Sequence, residues 1–295
     1  MTPLWLADYQ KEINSTIDDF FSHRYGITTW IEHDFELALR YAVEWGGKRI
    51  RPILALIAYE YFSDKHDHKS LITRSDILRC IIGIEFIHCF TLVHDDLPCM
   101  DNDELRRGKP TVWKVYGETM AVLVGDTLQT MGFECLGSSG RADVVVEIAR
   151  ALWDLWVARG QVRDTLLHQK DLTLNDLMRL HDEKTGIFIA NSLVIWGILG
   201  GATVDEIEDL RRFGMLFGRA FQIQDDILDY EWDGALLGKR VGKDVDLGKW
   251  IVARIGIVES KNVLMNIENE LKVLLKKFNN SKFDDVREFI VKRAS

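Results

Sequence analysis

The stretch FQIQDDILD, residues 221–229, restricts this chain more than any other. Gln222, Asp225, Asp226 and Asp229 recur at i, i+3, i+4 and i+7, a spacing that places four side chains on one face of an α-helix. Phe221, Ile223, Ile227 and Leu228 surround them. Carboxylates stacked among apolar residues repel one another, and burying them without counter-charge is costly. A hard divalent cation supplies that charge, and magnesium takes carboxylate oxygens together with substrate phosphates. Taken alone, one such cluster also fits a solvated acidic helix end.

A second acidic cluster makes that plainer reading weaker. Residues 92–111 read LVHDDLPCMDNDELRRGKPT, with Asp95, Asp96 and Asp101 close together at the end of an apolar helical run. On a regular helix Asp101 would sit ~240° round from Asp95. Pro98 interrupts the helix, and a break at Leu97-Pro98 can swing Asp101 back beside Asp95. Two acidic clusters far apart in sequence, each on a mostly apolar helix, point to metal and diphosphate binding.

Helical periodicity dominates elsewhere, and no stretch alternates as a strand. Only 4 prolines occur in 295 residues. Helices are predicted over 34–45, 50–62, 75–96, 117–137, 143–167, 174–199, 204–231 and 260–276. No Gly/Ser- or Pro-rich linker and no repeat is present, so the expectation is one domain over 1–295. It is an all-α bundle of helices joined by short loops. The run 187–204 is nearly uncharged and is read as a helix buried on all sides, not a membrane span. Net charge is -9, which argues against nucleic acid as a partner. The four cysteines, Cys80, Cys89, Cys99 and Cys135, form no CxxC pair. They are read as small core residues in a reducing, cytoplasmic setting. The N-terminus has no signal-peptide pattern.

Basic residues are clustered. GGKRIRP (46–52) places Lys48 and Arg51 at i, i+3 after Gly46-Gly47, a turn into a helix start that suits an anion. An ordinary basic helix start is the alternative. His88 lies seven residues before Asp95, two turns along the same face; a lone histidine there is more often a satisfied core residue. Arg106 and Arg107 follow the first acidic cluster at once. EKTG (183–186) offers Lys184 and Thr185 before a long apolar helix, and LGKRVGKDVDLGK (237–249) is a glycine-spaced basic loop.

These motifs, with GDTLQT (125–130), resemble in order and approximate spacing the trans-isoprenyl diphosphate synthases. The likeness is greatest to their short-chain branch, which includes the farnesyl and geranylgeranyl diphosphate synthases, and it spans about residues 40–250. The resemblance implies a barrel of about ten helices around a deep apolar cavity, as a homodimer. It implies that Asp95, Asp96, Asp101, Asp225, Asp226 and Asp229 hold three magnesium ions on an allylic diphosphate, with manganese as a substitute. Arg106, Lys184 and Lys239 would bind that diphosphate too. Gly47, Lys48, Arg51, His88 and Arg107 would hold isopentenyl diphosphate, and Thr185 and Gln222 would line the reacting carbons. Phe90, five residues before Asp95, and Thr91, one turn before it, would set product length. In the family an aromatic at the Phe90 position goes with the fifteen-carbon product, so the expected product is farnesyl diphosphate. Geranylgeranyl diphosphate is the alternative.

Two departures from the family pattern stand out. Trp250-Ile251-Val252-Ala253-Arg254 replaces a Thr-Tyr-Pro-like segment, and Arg159 and Arg163 flank Gln161 and Asp164 where small or apolar residues are usual. Intact acidic clusters argue against a non-catalytic partner subunit. The basic group at Lys48, Arg51 and His88 argues against a terpene cyclase, which binds one diphosphate. If the clusters hold metal on a diphosphate, Asp95→Ala or Asp225→Ala removes a ligand and nearly abolishes turnover. A steady-state assay with and without EDTA checks this; wild-type rates in EDTA would refute a metal mechanism.

Overall fold

The structure, a computed structural model, describes residues 3–22, 29–44, 47, 49–68, 72–153, 173–236 and 251–291. Its fold is all-α. The helices are α1 (Leu4–Ser22), α2 (Trp30–Glu44), α3 (Ile50–Lys65), α4 (Arg74–Asp95), α5 (Val112–Tyr116) and α6 (Glu118–Gly137). They continue as α7 (Ala142–Trp153), α8 (Leu174–His181), α9 (Ile187–Leu199), α10 (Val204–Leu236), α11 (Ile251–Phe278) and α12 (Ser281–Val291). The chain forms two compact units, Met1–Leu56 with Lys69–Val146, and Ile57–His68 with Glu147–Ser295.

In the first unit α4 is the central element. Thr73 and Asp76 form a reciprocal capping box that starts it. From Ile77 to Val93 it is buried on nearly every face. It is long and apolar enough to cross a membrane, but that burial marks a core helix. α6 runs antiparallel beside it, because both backbones lack side chains where they meet. A Cβ on Gly83 would lie 2.7 Å from the Gly132 carbonyl oxygen, and one on Gly125 would collide with the His94 ring. Phe20 and Phe21 of α1 close the far side against Phe86, with ring centroids at 5.0 and 5.8 Å. Arg49 precedes α3 in a left-handed conformation, φ 51°. Its guanidinium is buried and donates to Glu85 Oε1 at 2.6 Å, Val43 O at 2.9 Å and Asn14 Oδ1 at 3.1 Å.

In the second unit α9 is buried along almost its whole length, as its uncharged sequence predicts. It packs on α10 through small residues: a Cβ on Gly214 would lie 2.3 Å from Ala190 Cα. Phe213, Phe278 and Phe283 tie α10, α11 and α12 together, with centroids 5.4–6.3 Å apart. α11 breaks at Gly256, φ 79°, a backbone state that glycine adopts without steric cost.

Several expectations need correction. The helix predicted over 174–199 is interrupted by a π-turn at Asp182–Gly186. α1 and α12 were not predicted, although Leu6, Tyr9, Ile13, Ile17 and Phe20 carry a helical period along α1. Of the helix predicted over 143–167, only α7 falls within the described residues. A two-residue antiparallel ladder pairs Leu105 with Pro110 and Arg106 with Lys109. Arg107 and Gly108, φ 52° and 76°, make the left-handed pair of its tight turn. Cys99 is exposed, while the other three cysteines are buried as expected.

Removing Glu85 would leave the Arg49 guanidinium in the core without its counter-charge. The Glu85→Ala variant is expected to lose about 3–5 kcal/mol of stability, read by urea denaturation. A loss within about 0.5 kcal/mol, as at ordinary surface sites, would show that the pair is not needed.

Candidate active site

The first group of predicted residues gathers where α4 ends. Met100 N–H donates to Leu97 O at 2.8 Å, Asn102 N–H to the same oxygen at 3.1 Å, and Asp101 N–H to Asp95 O at 2.9 Å. The turn at Leu97-Pro98 therefore reverses the chain and returns Asp101 to Asp95, as the sequence suggested. Asp95 is half-buried and Asp101 exposed, so solvent and a cation reach both.

Asp96 is different. Its carboxylate is fully buried, and Arg106 Nε donates to its two oxygens at 2.7 and 2.9 Å. Burial pushes the Asp96 carboxyl up from its ordinary range, and the Arg106 guanidinium works against that shift. Arg106 thus binds a carboxylate of the acidic cluster, while Arg107, the next residue, points elsewhere. A Cβ on Gly47 would lie 2.5 Å from Arg107 Nη1. Gly47 is what lets that guanidinium approach the backbone.

Arg51 Nη1 lies 3.1 Å from His88 Nε2. Burial first, then the positive charges of Arg51, Arg107, Arg106 and Arg49, hold the His88 imidazole well below its ordinary value. His88 is therefore neutral and accepts from Arg51. Burial, with repulsion from Arg107, brings the Arg51 guanidinium down to about 10, against a smaller upward pull from Glu85. Arg51 and His88 are half-buried and Arg107 is exposed, and several cations held this close suit a polyanion that reaches them and neutralises them together. Lys48 lies outside the described residues.

The second group lies on α10 and the π-turn. Thr185 Oγ1 donates to Gln222 Oε1 at 3.2 Å, and Gln222 Nε2 donates to Asp226 Oδ1 at 3.3 Å. Asp226 is buried and also accepts from the Ile251 N–H at 3.1 Å, with His181 Nε2 at 3.6 Å. Ile251 belongs to the segment that departs from the family pattern, and here it seats the start of α11 on Asp226. Asp225 is half-buried on the same helix. Lys239 lies outside the described residues, as do the side chains of Lys184 and Asp229.

Among the described residues no three acidic, histidine or cysteine side chains converge as a ready-made cage. Magnesium uses one or two carboxylates and completes its shell with water and substrate phosphates. Asp95 and Asp101 offer such a pair of hard oxygen donors. Sequence reasoning missed Glu85, His181, Asp182 and Arg219, and took Arg49 only as part of the basic run 48–51, not as a buried ion-pair partner. Arg219 carries the one faint signal, a cation one turn before Gln222 on the acidic helix.

All-α, with two acidic helix segments and a cluster of arginines, the chain is a prenyltransferase of the isoprenoid synthase fold. It belongs to the polyprenyl synthetase family, whose model matches residues 32–290. Geranylgeranyl pyrophosphate synthase 4 of Arabidopsis thaliana is 38% identical over 254 residues, which cover 83% of this chain and 66% of that protein. The chloroplastic geranylgeranyl pyrophosphate synthase of Capsicum annuum is 37% identical over 288 residues, covering 95% and 74%. A geranyltransferase from Helicobacter pylori, crystallised with magnesium and isoprenyl diphosphate, superposes with a TM-score of 0.74 at 27% identity, covering 100% of this chain and 97% of that one.

The depressed His88 imidazole makes a pH prediction. In the unfolded chain it would protonate near its ordinary 6.5, and in the fold it does not until well below that. Its contribution to stability is therefore intact above 6.5 and erodes as the pH falls from there towards the folded value. The His88 ring signals in an NMR titration should stay fixed between about pH 7.5 and 6, against an ordinary imidazole that titrates near 6.5. A midpoint near 6.5 would show that the arginines do not hold it neutral.

Proposed function

We propose that the chain condenses an allylic diphosphate with isopentenyl diphosphate and extends the product to geranylgeranyl diphosphate. The observation that carries the product length lies on α4. Thr91 is four residues before Asp95, about 40° round the helix, and so shares its face. Phe90 is five residues before it, about 140° round. The Phe90 ring is turned edge-on to His94, with centroids 5.8 Å apart. His94 in turn lies against α6, its Nε2 3.1 Å from Val122 O. The side chain beneath Asp95 is therefore the small Thr91, and the Phe90 ring lies against His94 of its own helix. Both plant relatives are named for the twenty-carbon product, which supports the same reading.

The chemistry follows from the residues. Magnesium, for which manganese can substitute, would be held by Asp95 and Asp101 in the first unit, and Asp225 in the second offers a carboxylate of the same kind. The metal would supply positive charge to a leaving diphosphate. Arg51, Arg107 and Lys48 hold the isopentenyl diphosphate by charge, and neutral His88 orients Arg51. Carbon–oxygen cleavage leaves an allylic cation and a more highly charged diphosphate. Thr185 and Gln222 present fixed oxygen dipoles to the cation without attacking it, a preorganised stabilisation. The isopentenyl double bond then attacks, and the departing diphosphate takes the proton that is lost. Lys184 and Lys239, with Arg106 once it turns from Asp96, complete the allylic diphosphate site. The exposed Val122 and Leu123 on α6 support a homodimer formed through that face.

A farnesyl end product is the second reading, favoured by the aromatic identity of Phe90 alone. The deciding experiment incubates the purified chain with magnesium, dimethylallyl diphosphate and isopentenyl diphosphate, and measures product length by mass spectrometry. The expected main product has twenty carbons, Phe90→Ala leaves it unchanged, and Thr91→Phe shortens it to fifteen, because a filled volume cannot be re-entered without strain. A fifteen-carbon product that lengthens in Phe90→Ala would establish Phe90 as the floor and overturn this reading.

A further inference from the structure

We infer that Arg219 and Asp182 act as a positioning pair, holding the π-turn so that the Thr185 hydroxyl meets Gln222. The inference rests on the prenyltransferase reading and concerns residues that no motif singled out. The turn Asp182–Gly186 is closed by the Ile187 N–H on Asp182 O. This five-residue closure interrupts an otherwise continuous α8–α9 helix. Such single π-turns are less stable than the α-helix around them and tend to occur where a side chain must be re-aimed. Something must hold it in place, and two contacts to α10 do so.

The first contact is close backbone packing at the C-terminal end of the turn. A Cβ on Gly218 would lie 2.4 Å from Gly186 Cα and 3.2 Å from the Thr185 carbonyl carbon. The second is a two-pronged ion pair at the N-terminal end. Arg219 Nε donates to Asp182 Oδ1 at 2.8 Å, and Nη2 donates to Asp182 Oδ2 at 2.6 Å. A planar guanidinium and carboxylate joined by two parallel bonds fix direction as well as distance. Thr185 lies between these two anchors. Its hydroxyl reaches Gln222, one turn beyond Arg219 on α10, at 3.2 Å. One helix thus supplies both the clamp and the partner of the residue being clamped.

If the pair only stabilised the fold, its loss would lower the melting temperature and leave turnover per folded molecule unchanged. A positioning role makes a different demand. Thr185 and Gln222 are felt at the cation, in the transition state more than in the ground state, so misplacing them lowers kcat and spares KM. A displacement of about 1 Å at a reacting group costs on the order of a hundredfold.

The test measures kcat and both KM values for wild type, Arg219→Ala, Asp182→Asn, Arg219→Lys, Thr185→Ala and the double variant Arg219→Ala/Thr185→Ala, each checked for folding by circular dichroism. Arg219→Ala is expected to lose at least roughly tenfold in kcat, with both KM values within about twofold. Asp182→Asn and Arg219→Lys, which keep shape but not the two-pronged pair, should fall between it and wild type. Thr185→Ala should cost little more in the Arg219→Ala background, since the two act as one unit. Wild-type kcat in Arg219→Ala, or in both conservative variants should Arg219→Ala fail to fold, would overturn the inference, as would additive losses. An inactive wild-type chain would instead overturn the prenyltransferase reading on which it rests.

Discussion

Charge taken out of water must be met by an opposite charge or by hydrogen bonds, and that requirement organises the functional parts of both units. In the first, Arg49 reaches Glu85 across the core, and Asp96 is met by Arg106 from the short ladder beyond the turn. In the second, Asp182 is met by Arg219 and Asp226 by Gln222 and the Ile251 N–H. All of these links except Gln222–Asp226, which lies within α10, join segments separated in sequence. The partners therefore fix where loops and helix ends lie, and the acidic residues that stay reachable, Asp95 and Asp101, are held by a scaffold of neutralised ones.

Helix packing makes this arrangement possible. Gly83 against Gly132 and Gly214 against Ala190 let paired helices approach to backbone contact. Close approach excludes water, and in a dry setting each ionic link acts more strongly and each missing partner costs more. The His88 imidazole shows one consequence: burial and the arginines around it hold it well below its ordinary value, and it accepts a hydrogen bond from Arg51. The functional chemistry of the arginine cluster is thus set by the packing around it.

Much of this was legible along the chain. Apolar residues at helical spacing marked most of the helices, and the i, i+3, i+4, i+7 set from Gln222 to Asp229 located the acidic face of α10. The proline in LVHDDLPCMD was enough to anticipate the turn that brings Asp101 to Asp95, since proline ends a helix for local reasons. Other features were not legible. The run from Leu174 to Leu199 reads as one helix because its apolar pattern is helical from end to end; the π-turn packs on α10, and local periodicity does not report such contacts. Phe90 stands at the right distance from Asp95 along the helix to act as a floor, and that distance is legible in the sequence. Its ring contact with His94 depends on side-chain packing, which spacing does not report.

The sequence by itself determined the all-α class, the two acidic clusters, the basic segments and the family, because these depend on residue type and short-range spacing. Only the tertiary structure decided which charges are exposed and which are consumed. Asp95, Asp96 and Asp101 are chemically alike and close in sequence, yet one is half-buried, one is buried under Arg106 and one is exposed. The same holds for Arg106 and Arg107, adjacent in sequence, one turned to Asp96 and the other to Gly47. A carboxylate's role depends on its solvation and on the partners within hydrogen-bond reach, and both are properties of segments brought together by folding.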